Sequence, residues 1–264
     1  MTTTTALATA PPAGLPAGAV APVPLTRLTL VELRKLADTR AGMWLLIVIG
    51  VATAATSAIV LGWAEASGQT FGALYGFGLL PSSVLLPVLG ILSVTSEWSQ
   101  RTALATFTLV PARGRVLAAK VSAGVLIAIG SAAATAVWAA AANLLAIALG
   151  GDGTWTMDSS LIWQSLLLQV IFVLMGVGFG ALLLNTPLAI VIFFALPTVW
   201  TILGETISGL RDVAAWLDIN VTSQALGQPD MASGEWARLG VSTALWVLLP
   251  LLLGTVRVLR REVS

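Results

Sequence analysis

Neither cysteine nor histidine occurs in this 264-residue sequence. Without cysteine there is no disulfide, no thiolate nucleophile and no thiolate metal ligand, and the compartment cannot be read from redox usage. Without histidine, the usual general base and the commonest metal ligand are also missing. Charged residues make up only 9% of the chain and sum to +1; that net charge says nothing about nucleic acid, no nucleic-acid partner is expected, and it is the distribution of charge that informs. No Gly-x-x-x-x-Gly-Lys-Ser/Thr run is present, so the chain has no phosphate loop of its own for ATP. Ser/His and Cys/His pairs are impossible and the acidic residues stand apart. No catalytic residue and no metal site are therefore expected, and the chain reads as a non-enzyme.

What is abundant is apolar surface: 57% of residues are hydrophobic and the mean hydropathy is +0.95. That composition predicts an all-α polytopic membrane protein. Charge-free stretches place six spans, at about 41–64, 72–95, 121–149, 160–184, 188–204 and 238–256. The first is bracketed by Trp44 and Trp63 at the expected interfaces. Residues 159–204 form one charge-free run of 46, too long for one span and enough for two, and Asn185-Thr186-Pro187 predicts the turn between them. Residues 1–25, rich in Thr, Ala, Pro and Gly, read as a disordered low-complexity tail ahead of a single transmembrane domain, 26–264. From Leu25 to Arg40 the pattern becomes amphipathic, with Leu25, Leu28, Leu33 and Leu36 on one broad face and Arg34 and Lys35 among the charges. This predicts an interfacial helix against membrane lipid, or else a charged flank that fixes orientation. Between the fifth and sixth spans, Leu210, Val213, Ala214 and Leu217 predict a second amphipathic helix.

Several residues inside the spans could line a polar route. Pro81 and Pro87 in the second span each remove a helical hydrogen bond, and the irregular backbone that results must face protein or a wet cavity. Asn143, Gln164 and Gln169 could contact a substrate or could simply bond a neighbouring helix. Gly176 and Gly180 form a small-xxx-small pattern, which predicts close helix packing. No Asp, Glu, Lys or Arg lies in the span interiors, so transport driven by a coupling ion has no visible basis.

The most informative stretch is Thr95-Ser96-Glu97-Trp98-Ser99-Gln100-Arg101-Thr102, continuing through Val110 to Pro111-Ala112-Arg113-Gly114-Arg115 and Lys120. It is a basic island between two charge-free runs of 31 residues, 66–96 and 121–151. Ala103, Leu104, Phe107 and Val110 recur at helical spacing, and Pro111 ends the helix that they predict. Basic residues set its side of the membrane. Arg27, Arg34, Lys35, Arg40, Arg101, Arg113, Arg115, Lys120, Arg257, Arg260 and Arg261 fall on one side, against Arg211 and Arg238 on the other. Both termini and this loop are therefore expected in the cytoplasm.

The stretch resembles the first cytoplasmic loop of type-2 ATP-binding-cassette (ABC) exporter permeases. There an acid at the end of the second span, an aromatic, a basic residue and Thr precede a short coupling helix, followed by a Pro-Arg turn and a Lys early in the third span. Glu97, Trp98, Arg101, Thr102, Pro111, Arg113 and Lys120 fit those places. The resemblance implies a permease subunit, acting as a homodimer or with a similar subunit in a cell membrane, bacterial by composition. It also implies a separate P-loop ATPase that binds ATP and Mg and docks on the 96–120 loop. Coupling would then fall to Glu97, Trp98, Arg101, Thr102, Leu104, Phe107, Pro111, Arg113 and Arg115, and the amphipathic helix carrying Arg34 and Lys35 would be the family's elbow helix beside the ATPase. A passive pore or a membrane-assembly protein remains the alternative class.

Overall fold

The computed structural model describes residues 23–100 and 102–261, and every regular element among them is helical. The expected tail falls on residues 1–22, outside the described residues, and Leu25 already begins helix α1 (Leu25–Asp38). Among the described residues six helices are long and apolar enough to cross a membrane, as the charge-free runs predict. They are α2 (Arg40–Trp63), α3 (Phe71–Ser99), α5 (Arg113–Ala148), α6 (Ser159–Leu183), α7 (Thr186–Thr206) and the last stretch, Ser233–Arg260. That last stretch consists of α10 (Ser233–Thr243), a π turn (Ala244–Leu248) and α11 (Leu249–Arg260). The π turn ends two residues before Pro250, whose missing N–H disturbs the regular ladder there. A short helix α4 (Ala103–Leu109) joins α3 to α5, and α8 (Arg211–Leu217) and α9 (Ile219–Gln224) lie between α7 and α10.

Side-chain caps fix several of these boundaries. Thr39 accepts from the Gly42 N–H at the start of α2, Thr70 from Ala73 before α3, and Asp158 from Ser160 before α6. At the predicted turn, Leu184 adopts a left-handed conformation (φ 51°) that ends α6, and Asn185 accepts from the Leu188 N–H to start α7. Two helices run longer than the charge-free runs suggest. α5 begins at Arg113 rather than near 121, because Arg113, Arg115 and Lys120 each find protein partners within the helix's reach. The last stretch starts at Ser233, where Glu235 accepts the Ala232 N–H.

α3 and α6 are the most buried of the six, and their backbones cross almost in contact. A Cβ on Gly176 would collide with the Pro87 carbonyl oxygen, one on Gly180 would sit 3.0 Å from the Ile91 oxygen, and one on Gly90 would sit 2.6 Å from the Val173 oxygen. The other side of α6 meets the last helix in the same way: a Cβ on Gly254 would be 2.8 Å from the Leu182 nitrogen, and one on Gly178 would be 3.1 Å from the Leu251 nitrogen. The glycines of α6 therefore serve two neighbours, which makes α6 the hub of the bundle. α3 continues as one helix through both Pro81 and Pro87. α5 packs through its alanines, with Ala128, Ala132, Ala139 and Ala146 all buried.

Candidate functional site: the basic end of the bundle

One end of the bundle gathers α1, the close of α3, α4, the start of α5 and the close of α11. At its centre is a four-residue ion cluster. Lys120, two turns into α5, donates to Glu32 Oε2 at 2.6 Å and to the Ser93 carbonyl at 2.6 Å, and lies 3.1 Å from Glu97 Oε1. Lys35 donates to Glu32 Oε1 at 2.7 Å and to Glu97 Oε1 at 2.8 Å. Each carboxylate thus bridges two ammonium groups, and the cluster is electrically neutral. The Lys120, Glu32 and Glu97 side chains are only 4%, 6% and 7% exposed, while Lys35 is 40% exposed. Charges at that depth persist only when paired, and Lys120 has two hydrogen-bond acceptors and a second carboxylate beside it.

The cluster has neighbours on α4. Thr106 reaches Glu97 Oε1 at 3.4 Å, and the Thr102 N–H donates to the Glu97 carbonyl at 2.9 Å. Trp98 and Phe107 pack with Val94, Leu117, Val177, Ala181, Leu184 and Val258. The Arg113 guanidinium lies 5.0 Å from the centre of the Phe107 ring and donates to the carbonyls of Val258 (3.1 Å), Leu259 (3.5 Å) and Arg261, closing off the end of α11. Arg261 in turn lies 4.9 Å over Trp98. Arg257 donates to the Leu182 carbonyl at the end of α6. α4 is thereby tied to α3 and α5 through Glu97 and to α11 through the aromatic pair.

The structure thus brings together Glu97, Trp98, Thr102, Phe107, Arg113 and Lys35 from the expected set. Leu104 sits on the outward side of α4, and Pro111 is exposed in the following turn. Arg101 lies outside the described residues. Arg115 turns to the Val23 carbonyl at 2.7 Å, and Arg34 points outward. Glu32 was missed by the sequence reading, and Lys120 was placed by resemblance without a partner. The signal for Glu32 was its position three residues before Lys35, on the same helix face.

Of the polar residues considered for a pathway, Asn143 and Gln169 each donate one bond to a neighbouring segment while their amide oxygens are buried without a partner among the described residues. Asn143 donates to the Gly153 carbonyl at 2.9 Å, and Gln169 donates to Ser82 Oγ at 2.6 Å. Gln164 is 1% exposed, and in the amide orientation that satisfies both its polar atoms it bonds the Leu226 and Gln228 carbonyls. Pro87 is buried against α6, and Pro81 is half-buried.

Lys35 gives the site a pH signature. Burial works to lower its pKa, but the hydrogen bonds and charges of Glu32 and Glu97 outweigh burial and raise it above the ordinary 10.5. A raised lysine pKa stabilises the fold fully below the unfolded value and loses that contribution as pH climbs through the folded one. Wild-type Tm should therefore hold up to about pH 10 and fall above it, and Lys35→Gln should remove part of the fall in a thermal series from pH 7 to 11.

No protein-family model matches this chain, and no curated protein matches it.

Proposed function

We propose that the chain is the membrane-spanning permease subunit of an ABC exporter, driven by a separate ATPase that docks at the basic end of the bundle. The observation that carries this reading is α4. It is a two-turn helix between two long apolar helices, with Leu104 53% and Leu109 81% exposed on its outward side and its inward side fixed to three spans. An element so placed delivers a push from outside the membrane into α3 and α5 through Glu97, and into α11 through Phe107 and Arg113. The charge distribution supports a cytoplasmic position for this end, with both chain termini on the same side.

On this reading ATP and Mg belong to the partner, whose closure favours one of two bundle conformations. ATP drives transport only through that difference. Two copies of the chain, or one with a similar subunit, complete the pathway. The apolar helix faces suit a lipophilic or amphipathic cargo, moved outward.

Isolation of the chain in mild detergent from its own membranes tests the proposal. The expected result is a companion in stoichiometric amount that carries a phosphate loop and hydrolyses ATP. Leu104→Asp with Leu109→Asp should remove that companion, because two desolvated contacts become charged, while the thermal unfolding of the chain itself stays unchanged. Recovery of the chain alone, before and after cross-linking through 96–120, would instead favour a passive pore or an assembly protein.

A further inference from the structure

On helix α1, Leu28 and Leu33 of the expected apolar face are half-buried and Leu36 is buried, beside charged residues. Thr29, Glu32 and Leu36 face the bundle and are buried, whereas Leu25, expected on the apolar side, is 40% exposed. The opposite face presents Arg27, Leu30, Val31 and Arg34, at i, i+3, i+4 and i+7 on one side of the helix. Leu30 is 59% exposed and Val31 is 44% exposed.

Among the described residues every ion pair belongs to the Glu32, Lys35, Glu97 and Lys120 cluster, so neither Arg27 nor Arg34 has an acidic partner there. The cluster is neutral, and Asp38 is the one acid on the outward side of α1. An anion for the two guanidinium groups must therefore come from outside this set of contacts. Connectivity keeps this face at the start of a candidate span: only Thr39 separates α1 from α2, which exposes Trp44, Ile47, Val48 and Val51 along its length. A face next to that boundary, with two aliphatic side chains between two arginines, matches the junction of acyl chains and phosphate groups.

We infer that the Arg27, Leu30, Val31 and Arg34 face of α1 binds anionic phospholipid in the leaflet at the basic end. The guanidinium groups hold headgroup phosphates, and the aliphatic pair enters the acyl boundary. A docked protein is the competing occupant. Lipid is favoured because α1 leads through Thr39 alone into α2, a helix apolar enough to cross a membrane, and because the face pairs aliphatic with cationic groups. The inference rests on the membrane placement of the bundle and is independent of whether an ATPase drives it.

The test reconstitutes the full chain in nanodiscs of equal phosphatidylcholine and phosphatidylglycerol and counts the lipids retained on the protein by native mass spectrometry. The expected result is enrichment of phosphatidylglycerol by about fivefold. That enrichment should be abolished in Arg27→Gln with Arg34→Gln and kept in Arg211→Gln, which carries its change on the α8 side. Equal retention of the two lipids, or enrichment that survives the double substitution, would overturn the inference. A photoreactive residue at Val31 in the otherwise unaltered chain, in native membranes, gives an answer that needs no arginine variant: cross-links to phospholipid support the inference, and cross-links to a protein overturn it.

Discussion

Replacing Lys120 by methionine is expected to destabilise the bundle by about 3–5 kcal/mol, the typical cost of leaving a buried charge without its partner. Lys120 holds Glu32 at 2.6 Å and stands 3.1 Å from Glu97, and both carboxylates are nearly inaccessible to water. Without Lys120 the two acids share Lys35 alone and repel one another. A chain of this size should show a fall in Tm of roughly 10 °C in detergent. Combining Lys120→Met with Glu97→Gln restores neutrality and should recover at least half of the loss. The long side chain fills the same space in both variants, so recovery would assign the damage to charge and not to packing. Equal Tm for Lys120→Met and wild type would show that the cluster does not stabilise the fold.

Substitution at the α3–α6 crossing should act by a different route. Gly176→Ala places one carbon against the Pro87 carbonyl, which belongs to helix backbone and cannot turn aside. Overpacking of this kind costs about 1–3 kcal/mol even where side chains can yield, so a rigid contact falls at or above the upper end. Gly176→Leu should prevent the two helices from meeting at all and sharply lower the yield of folded protein. Gly130, in α5, has nothing within 4 Å of a built Cβ, so Gly130→Ala is the matched control. It should be neutral or stabilising by up to about 1 kcal/mol, since glycine is the weaker helix former. The comparison is read from thermal unfolding and from the monodisperse fraction after purification.

Much of the fold was legible because membrane spans are written in one dimension. A lack of charge over some twenty residues places a helix with no knowledge of its neighbours, and the Asn185 turn and the α4 helix announce themselves through proline and local spacing. The cluster was not legible in that way. Glu32 and Lys120 lie 88 residues apart, and nothing local to either identifies the other. The helix α1 was legible from its pattern but its partners were not: beside Leu28, Leu33 and Leu36 its inward side carries Glu32 and Lys35, whose ion partners lie on α3 and α5. Arg113 and Arg115 read as free docking charges because sequence shows their sign and not their acceptors. In the structure both bond backbone carbonyls of this chain. On the proposed reading, docking on the outward side of α4 would fall to Leu104, already in the expected coupling set, and to Leu109, which the sequence reading did not single out.

These assignments redistribute the roles at the basic end. Arg113 and Arg261 grip the end of α11, the ion cluster holds α1 to α3 and α5, and α4 rests on both. On the proposed reading, a force applied to α4 would reach the spans by two routes, through the Glu97 cluster and through the contacts of Phe107 and Arg113, with the outward leucines as the place it is applied.

The most direct test is a photoreactive amino acid in place of Leu109, the most exposed large apolar side chain of α4 at 81%, activated in native membranes. The expected result is one dominant cross-linked product, a protein with a phosphate loop whose ATP hydrolysis depends on this chain. Cross-links only to lipid, or only to a second copy of the chain, would contradict it.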